Sequence, residues 1–343
     1  MSVMKSFASD NYAGVLPEVM QALQNANTAH ARSYGSDEIS KRTISLFKKI
    51  FDADVDVYFV FNGTGANLLS ISSATQSYNA VLCADISHIY NDESSAPESV
   101  TGCRFFPLKA NNNGKLERQV IEERLIRKGD VHYPQTKLLS ITQSTEYGTI
   151  YTPDEIKAIS RLCKDNNLYL HVDGSRFFNA AAALGCGLKD ISTSAGIDIL
   201  SLGGTKAGMM FGEAVVVFNK KLSEHIAYKQ KQIIQLASKT RFIAAQFEAM
   251  LQDELWRKTA THANQMAQLL YETLTKYPQI KVTKPVEANA VFAEIPRAWY
   301  EPLQQHFPFY IWKESTTEVR LMCAFDSAEA DIMAFDKALA GLK

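Results

Sequence analysis

Leu16, Val19, Met20 and Leu23 recur at i, i+3, i+4 and i+7, a spacing that predicts an amphipathic helix over roughly 16–25. Ile39, Thr43, Phe47 and Ile50 form a second such stripe within 37–51. Val57–Phe61 is a short apolar run that reads as a buried strand. It passes into Asn62-Gly-Thr-Gly-Ala-Asn67 and then into an apolar helix. Apolar runs at 81–84, 137–142, 168–172, 197–202 and 214–218 predict further strands. Thr152-Pro-Asp-Glu155 is a capping box with proline at the first helical position, and the helix it opens turns Ile156, Ile159, Leu162 and Cys163 inward. Short strands buried on both faces and alternating with helices predict an α/β fold with a mainly parallel central sheet.

The pattern changes after about residue 242. Residues 242–276 are mostly helical, with Met266, Leu270, Tyr271 and Leu274 on one face. Short strands at 291–295 and 319–325 follow, then a last helix carrying Ile332, Phe335 and Leu339. The expectation is a large domain over 1–245 and a smaller C-terminal α/β domain over 246–343.

Composition narrows the function. The 343 residues carry a formal net charge of -1, from 36 basic and 37 acidic side chains, without a polybasic tract, so nucleic acid is not an expected partner. No apolar run approaches the roughly 20 residues of a membrane-spanning helix, and the N-terminus has no apolar signal core. The five cysteines are scattered, without a CxxC pair, so neither a disulfide framework nor a metal site is expected and a cytoplasmic location fits.

Candidate chemistry gathers at strand ends. Leu168-Tyr-Leu-His-Val-Asp-Gly-Ser-Arg176 is an apolar run that ends in Asp173 and Arg176. Asp198-Ile-Leu-Ser-Leu-Gly-Gly-Thr-Lys206 is another, ending in glycines and one lysine. An amine, a carboxylate and a guanidinium delivered to one cleft suit a Schiff-base enzyme that uses pyridoxal phosphate. The lysine forms the imine, and the aspartate holds the pyridine nitrogen protonated. The turn with Gly63, Thr64 and Gly65 joins a strand to a helix and can close backbone amides on a phosphate; alone, it is equally a tight turn. His88 and His132 each follow a predicted strand or turn and are unremarkable singly. Arg320, on an apolar strand, needs an anionic partner or an open cleft.

Taken in order, Phe7-Ala-Ser-Asp-Asn11, Tyr34-Gly-Ser-Asp37, Phe61-Asn-Gly-Thr-Gly-Ala-Asn67, Ser140-Ile-Thr-Gln-Ser-Thr-Glu146, His171-Val-Asp-Gly-Ser-Arg176, Gly203-Gly-Thr-Lys206, Leu236-Ala-Ser-Lys-Thr-Arg241, Val286-Glu-Ala-Asn289 and Glu318-Val-Arg-Leu-Met-Cys323 carry a resemblance. The chain resembles the low-specificity threonine aldolases, in the β-eliminating lyase group of fold-type I pyridoxal-phosphate enzymes. Ser175 stands where alanine is usual, and Ser36 where a second aspartate is common.

The resemblance implies Lys206 as the Schiff-base lysine, Asp173 as the ring-nitrogen partner and His88 stacked on the ring. It implies Gly63 and Thr64 on the phosphate, with Arg241 and Lys231 from a neighbouring subunit. Ser9, Arg176 and Arg320 would grip the substrate carboxylate, Arg176 also lying near the cofactor. His88 and His132 would flank the substrate hydroxyl, and Tyr34 would reach in from a partner chain. The implied assembly is a homo-oligomer, dimer or tetramer, with shared sites. The implied reaction is reversible cleavage of threonine, allo-threonine or another β-hydroxy-α-amino acid to glycine and an aldehyde. The rivals are β-elimination or decarboxylation on the same scaffold, and a non-catalytic protein that binds a phosphate ligand.

Overall fold

The structure, a computed structural model, describes residues 5–342. Residues 1–4, the start of the stretch scanned for a signal segment, lie outside the described residues.

Seven strands form the central sheet: β1 (Asp56–Val60), β2 (Asn79–Ala84), β3 (Arg104–Leu108), β4 (Gln135–Thr142), β5 (Tyr169–Gly174), β6 (Ile199–Gly203) and β7 (Glu213–Val217). Their order is β1-β7-β6-β5-β4-β2-β3, with β7 antiparallel to both of its neighbours and the other contacts parallel. The predicted mainly parallel sheet is therefore present. β3 was not foreseen, because Pro107 breaks the strand signal. Proline is tolerated there because β3 is an edge strand.

The two N-terminal helices are α1 (Pro17–Ala26) and α2 (Glu38–Phe51), close to their predicted spans. The helix after the glycine turn is α3 (Gly63–Ala74). Gly65 through Ile71 are all buried, which explains why its sequence is apolar without a polar stripe. The capping box at Thr152 is made: the Glu155 amide donates to the Thr152 hydroxyl at 3.2 Å, and the Thr152 amide donates to the Glu155 carboxylate at 2.6 Å.

The expected helical stretch over 242–276 is two helices, Arg241–Leu251 and Leu255–Leu274. Asp253 and Glu254 between them lie in the left-handed region, at φ 49° and 52°, and turn the chain. Beyond lies a second, antiparallel sheet of β8 (Lys281–Val282), β9 (Ala290–Glu294), β10 (Tyr310–Lys313) and β11 (Glu318–Met322), ordered β10-β11-β9-β8. Glu329–Ala340 forms the closing helix, with Ile332, Phe335 and Leu339 buried as expected.

The small lobe has its own apolar core, which includes Leu270, Val291, Leu321 and Phe335. Phe7 belongs to that core too. Its carbonyl accepts the Met322 amide at 2.7 Å and its amide donates to the Pro308 carbonyl at 2.8 Å, so the N-terminal segment is stitched to the C-terminal lobe. That stitch carries Ser9 and Asp10 to the seam between the two sheets.

Candidate active site

β5 and β6 are parallel neighbours, so their C-terminal ends open on one side of the sheet. β5 ends at Asp173 and Gly174, and β6 runs through Gly203 into a single helical turn, Thr205–Ala207, that carries Lys206. The two turns touch: a Cβ on Gly203 would collide with the Ser175 backbone, and one on Gly174 would lie 2.7 Å from a Leu200 methyl. Glycine at these two places lets amine and carboxylate approach. A cleft of about 410 Å³ opens there, lined among others by Ser9, His88, Asp173, Arg176, Lys206 and Arg320. Six side chains singled out from the sequence thus meet in one place.

Lys206 is half-buried, and its amine makes no hydrogen bond or ion pair among the described residues. Burial, then the Arg176 guanidinium, lowers its pKa against the pull of Asp10, Asp173 and Glu213, which favours the free amine. Asp173 is 3% exposed. Its Oδ1 accepts the Ser175 amide at 3.1 Å and the Ser175 hydroxyl at 2.9 Å, and its Oδ2 accepts an Asn67 amide proton at 2.8 Å. Burial pushes the Asp173 pKa up, but His88, His171, Asn67 and Lys206 together outweigh it and hold the carboxyl below its ordinary value.

His88 begins the short helix His88–Asn91. Its Nδ1 bonds Glu93 Oε1 at 2.9 Å, and its backbone amide donates to Glu146 Oε1 at 3.0 Å. The bond to Glu93 raises the His88 pKa, burial opposing. Glu146 also accepts the Thr142 hydroxyl at 2.8 Å, and burial pushes its carboxyl up to about 7. Beneath Asp173, His171 bridges the hydroxyls of Ser140 and Ser201 at 2.8 and 2.9 Å, and Ser201 meets Ser70 of α3 at 3.1 Å. Burial depresses His171 to about 4, so this chain is neutral and serves to lock β4, β5, β6 and α3 together.

The glycine turn divides its labour differently from the sequence reading. Asn62 caps α3, taking the Gly65 amide on Oδ1 at 2.7 Å. The space beside Gly65 is filled by Gln235, whose Oε1 accepts the Phe61 amide at 2.9 Å. Gly65 therefore makes room for a side chain rather than an anion. Gly63 is open, its nearest foreign neighbour being Ser175 Oγ at 3.9 Å from a built Cβ. The first-turn amides of Gly63 and Thr64 have no intrahelical acceptor and lie beside the Asp173 turn.

On the opposite wall, Arg176 is paired with Asp10 through Nε and Nη2, at 2.7 and 2.8 Å. Asn289 of the small lobe donates to the same aspartate at 3.2 Å. Arg320 lies between the rings of Tyr310 and Trp312, at 5.1 and 5.2 Å from their centroids. Its Nη2 donates to the Ala8 carbonyl at 3.3 Å, while its Nε is buried without a partner among the described residues. Burial, helped by Arg176, depresses Arg320 to about 10. Two guanidiniums face one cleft, and among the described residues only Asp10 forms an ion pair with either of them, which leaves a place for an anion.

The remaining expected residues are elsewhere. His132 is exposed on the turn before β4, where its amide donates to Asp130 at 2.9 Å, and it does not line the cleft. Tyr34 is 53% exposed, with the Lys231 ammonium 5.3 Å from its ring centroid. The Tyr34 amide donates to Ser238 at 3.0 Å, on the segment that leads to Arg241. Arg241 opens the helix Arg241–Leu251, and its Nε is buried without a partner among the described residues. None of these three lines the cleft of its own chain.

Sequence reasoning gave no role to Asp10, Asn67, Glu93, Glu146 or Gln235. Asn67 left a signal, a carboxamide inside the apolar stretch Ala66 to Leu69. Gln235 likewise stands inside the apolar stretch Ile233 to Ala237, whereas Asp10, Glu93 and Glu146 have polar neighbours and carry no local mark. His88, Glu93 and Asp173 bring ligand atoms within 4.8 Å of one another, but the Asn67 amide already bridges the two carboxylates.

Comparison with known proteins places the sequence and the fold in a family. Residues 6–297 match the β-eliminating lyase family. The low specificity L-threonine aldolase of Pseudomonas sp. (strain NCIMB 10558) is 43% identical over 329 residues, 96% of this chain and 95% of that protein. That of Pseudomonas aeruginosa is 42% identical over 324 residues, 94% of this chain and 93% of that protein. Among solved structures, Leishmania major threonine aldolase superposes with a TM-score of 0.93 at 30% identity, covering 98% of this chain and 99% of that one.

Proposed function

The chain belongs to the β-eliminating lyase family, whose threonine aldolase members depend on pyridoxal phosphate, and we propose that it cleaves threonine or allo-threonine reversibly to glycine and acetaldehyde. The observation that carries this reading is the pair at the strand ends, a Lys206 amine without a partner and a buried Asp173 held ionised.

The residues fit the cofactor. Lys206 would hold it covalently, Asp173 would face its ring nitrogen, and His88 would lie against the ring. The free amides of Gly63 and Thr64 would take the phosphate. When bound, pyridoxal phosphate supplies an electron sink for the pair left at Cα as the Cα–Cβ bond breaks.

The chain's own groups do the rest. The Arg320 guanidinium and Ser9, with the one Arg176 nitrogen that Asp10 leaves free, bind the substrate carboxylate and fix the amino acid's orientation. His88 is the proton acceptor for the β-hydroxyl: Glu93 holds Nδ1, so Nε2 is the nitrogen available for the transfer. Glu146 fixes the same residue by its backbone. Lys206, as the free amine, accepts and returns protons at Cα. Tyr34, Lys231, Arg241 and exposed His132 serve the cleft of a neighbouring copy, so the protein works as a homo-oligomer. The buried unpartnered Nε of Arg241 supports this assignment. The expected division at 245/246 falls inside the helix Arg241–Leu251, whose Phe247, Met250 and Leu251 belong to the core of the large domain, so we place the functional division after that helix, with the small lobe supplying Arg320. A reducing cytoplasm suits its five unpaired cysteines.

The test is direct. Purified protein loaded with pyridoxal phosphate is incubated with L-threonine and L-allo-threonine, and glycine and acetaldehyde are measured. Equal amounts of both products are expected, and none from Lys206→Ala. Ammonia and a keto acid instead would assign β-elimination.

A further inference from the structure

Asn67 lies on α3, one turn in from Gly63, and is 1% exposed. Both protons of its amide are used, and both go to carboxylates. One meets Asp173 Oδ2 at 2.8 Å and the other Glu93 Oε1 at 2.9 Å. Glu93 is 5% exposed, and its Oε1 also receives His88 Nδ1 at 2.9 Å. One carboxamide thus joins the two acidic groups, one beneath the ring-nitrogen position and the other behind the histidine. The amide's orientation is decided by these bonds, since its own Oδ1 has no partner among the described residues.

We propose that Asn67 is a positioning residue whose amide bridges two buried carboxylates, so that Asp173 keeps its charge beside Glu93. The inference rests on the reading of Asp173 as the ring-nitrogen partner. Two carboxylates within 4.8 Å of each other and out of water repel, and such a pair tends to share a proton. A proton on Asp173 would remove its reason for being there. A carboxamide opposes this without adding charge, because each N–H favours the ionised oxygen it touches. The same side chain also ties Asp173 to the helix whose first turn offers Gly63 and Thr64. The distance between the anion-binding amides and the ring-nitrogen carboxylate is then fixed by one turn of α3.

The groups that face Asp173 are His88 and Glu93, His171 on its own strand, Lys206 and Arg176 on the adjoining turns, and Glu146 on the segment after β4. Among them, Glu93 is the second carboxylate held by Asn67. The experiment follows pyridoxal phosphate binding to the apo-protein by absorbance across pH. In Asn67→Leu the acid-side midpoint of binding should move up by about one to two pH units, the loss of a hydrogen bond to a charged group. Adding Glu93→Gln should reverse at least half of that movement, because the repelling charge is gone. A role in packing alone would weaken binding at every pH and would not be rescued by a second substitution. Should Asn67→Leu fail to fold, Asn67→Ser, with one proton to donate, carries the same comparison. An unmoved midpoint in a folded variant, or a moved one that Glu93→Gln leaves in place, overturns the proposal. Wild-type protein that takes up no cofactor would instead overturn the function proposed above.

Discussion

Arg176 and Asp10, 166 residues apart, form a two-pronged ion pair at 2.7 and 2.8 Å, with the aspartate side chain 1% exposed and the arginine 14%. Such a pair is a support before it is a binding site. Removing one partner of a buried pair leaves an uncompensated charge and costs about 3–5 kcal/mol. Asp10→Asn should therefore lower unfolding free energy by roughly that amount, measured in denaturant at neutral pH. A loss below about 1 kcal/mol would mean that the pair is solvated in practice.

Arg320 has the opposite balance, a guanidinium with a buried Nε and no carboxylate partner among the described residues. On the function proposed above, its anion is the substrate carboxylate. Arg320→Lys keeps the charge but loses the planar fork. KM for threonine should rise at least about tenfold, the effect of losing one charge-assisted bond, with a much smaller change in melting temperature. An unchanged KM would remove Arg320 from substrate binding.

As the proposed acceptor, His88 can take the hydroxyl proton only when neutral. Its pKa is raised, first by the bond to Glu93, so the rate should climb with pH through a value above the ordinary 6.5. Glu93→Gln removes that cause and should shift the rise to lower pH. His88→Asn should reduce turnover by about 10²–10⁴-fold. A rise that stays in place in Glu93→Gln would show that another group is titrating.

Glu213, at the start of β7, accepts the Gly204 amide beneath the Lys206 turn, and burial pushes its carboxyl from 4.5 to about 7. An acid with a raised folded-state pKa holds its proton where the unfolded chain has released it. Its contribution to stability is present below the unfolded value and is lost as pH rises through the folded one. Glutamine keeps an acceptor and never charges. Glu213→Gln apo-protein should gain on wild type by up to about 3 kcal/mol as pH rises from about 5 to about 8. A stability difference that does not change with pH would mean that Glu213 is already charged at low pH.

Tyr34, Lys231 and Arg241 leave their own cleft unattended, and a two-fold axis would present them to another copy. Lys206→Ala and Arg241→Ala chains, each inactive alone, should regain partial activity when mixed under conditions that exchange subunits. No recovery after proven exchange would confine these residues to a structural role.

What the sequence determined by itself is whatever repeats locally. Strands buried on both faces, an amphipathic stripe and a capping box are fixed by neighbours within a turn or two, so β5, β6 and the helix after Thr152 could be placed without coordinates. Asp173 and Lys206 were legible for the same reason. A charge that ends an apolar run stands out against it, and parallel strands deliver such ends to one side. The motifs in their shared order added the family and, through it, the chemistry.

Tertiary structure alone decided which polar groups meet. Asn67 reaches Glu93 across 26 residues and Asp173 across 106, and no periodicity records either distance. The same holds for Asp10, which engages two of the three Arg176 nitrogens, and for Gln235, which fills the space that Gly65 leaves. His132 has much the same local signal as His88, yet one lines the cleft and the other faces solvent. A hydrogen bond depends on position and direction in space to within a few tenths of an ångström. Hydrophobic pattern states only which face of an element is inside, so it locates the cleft and leaves the partners within it to the packing of the sheet, α3 and the small lobe.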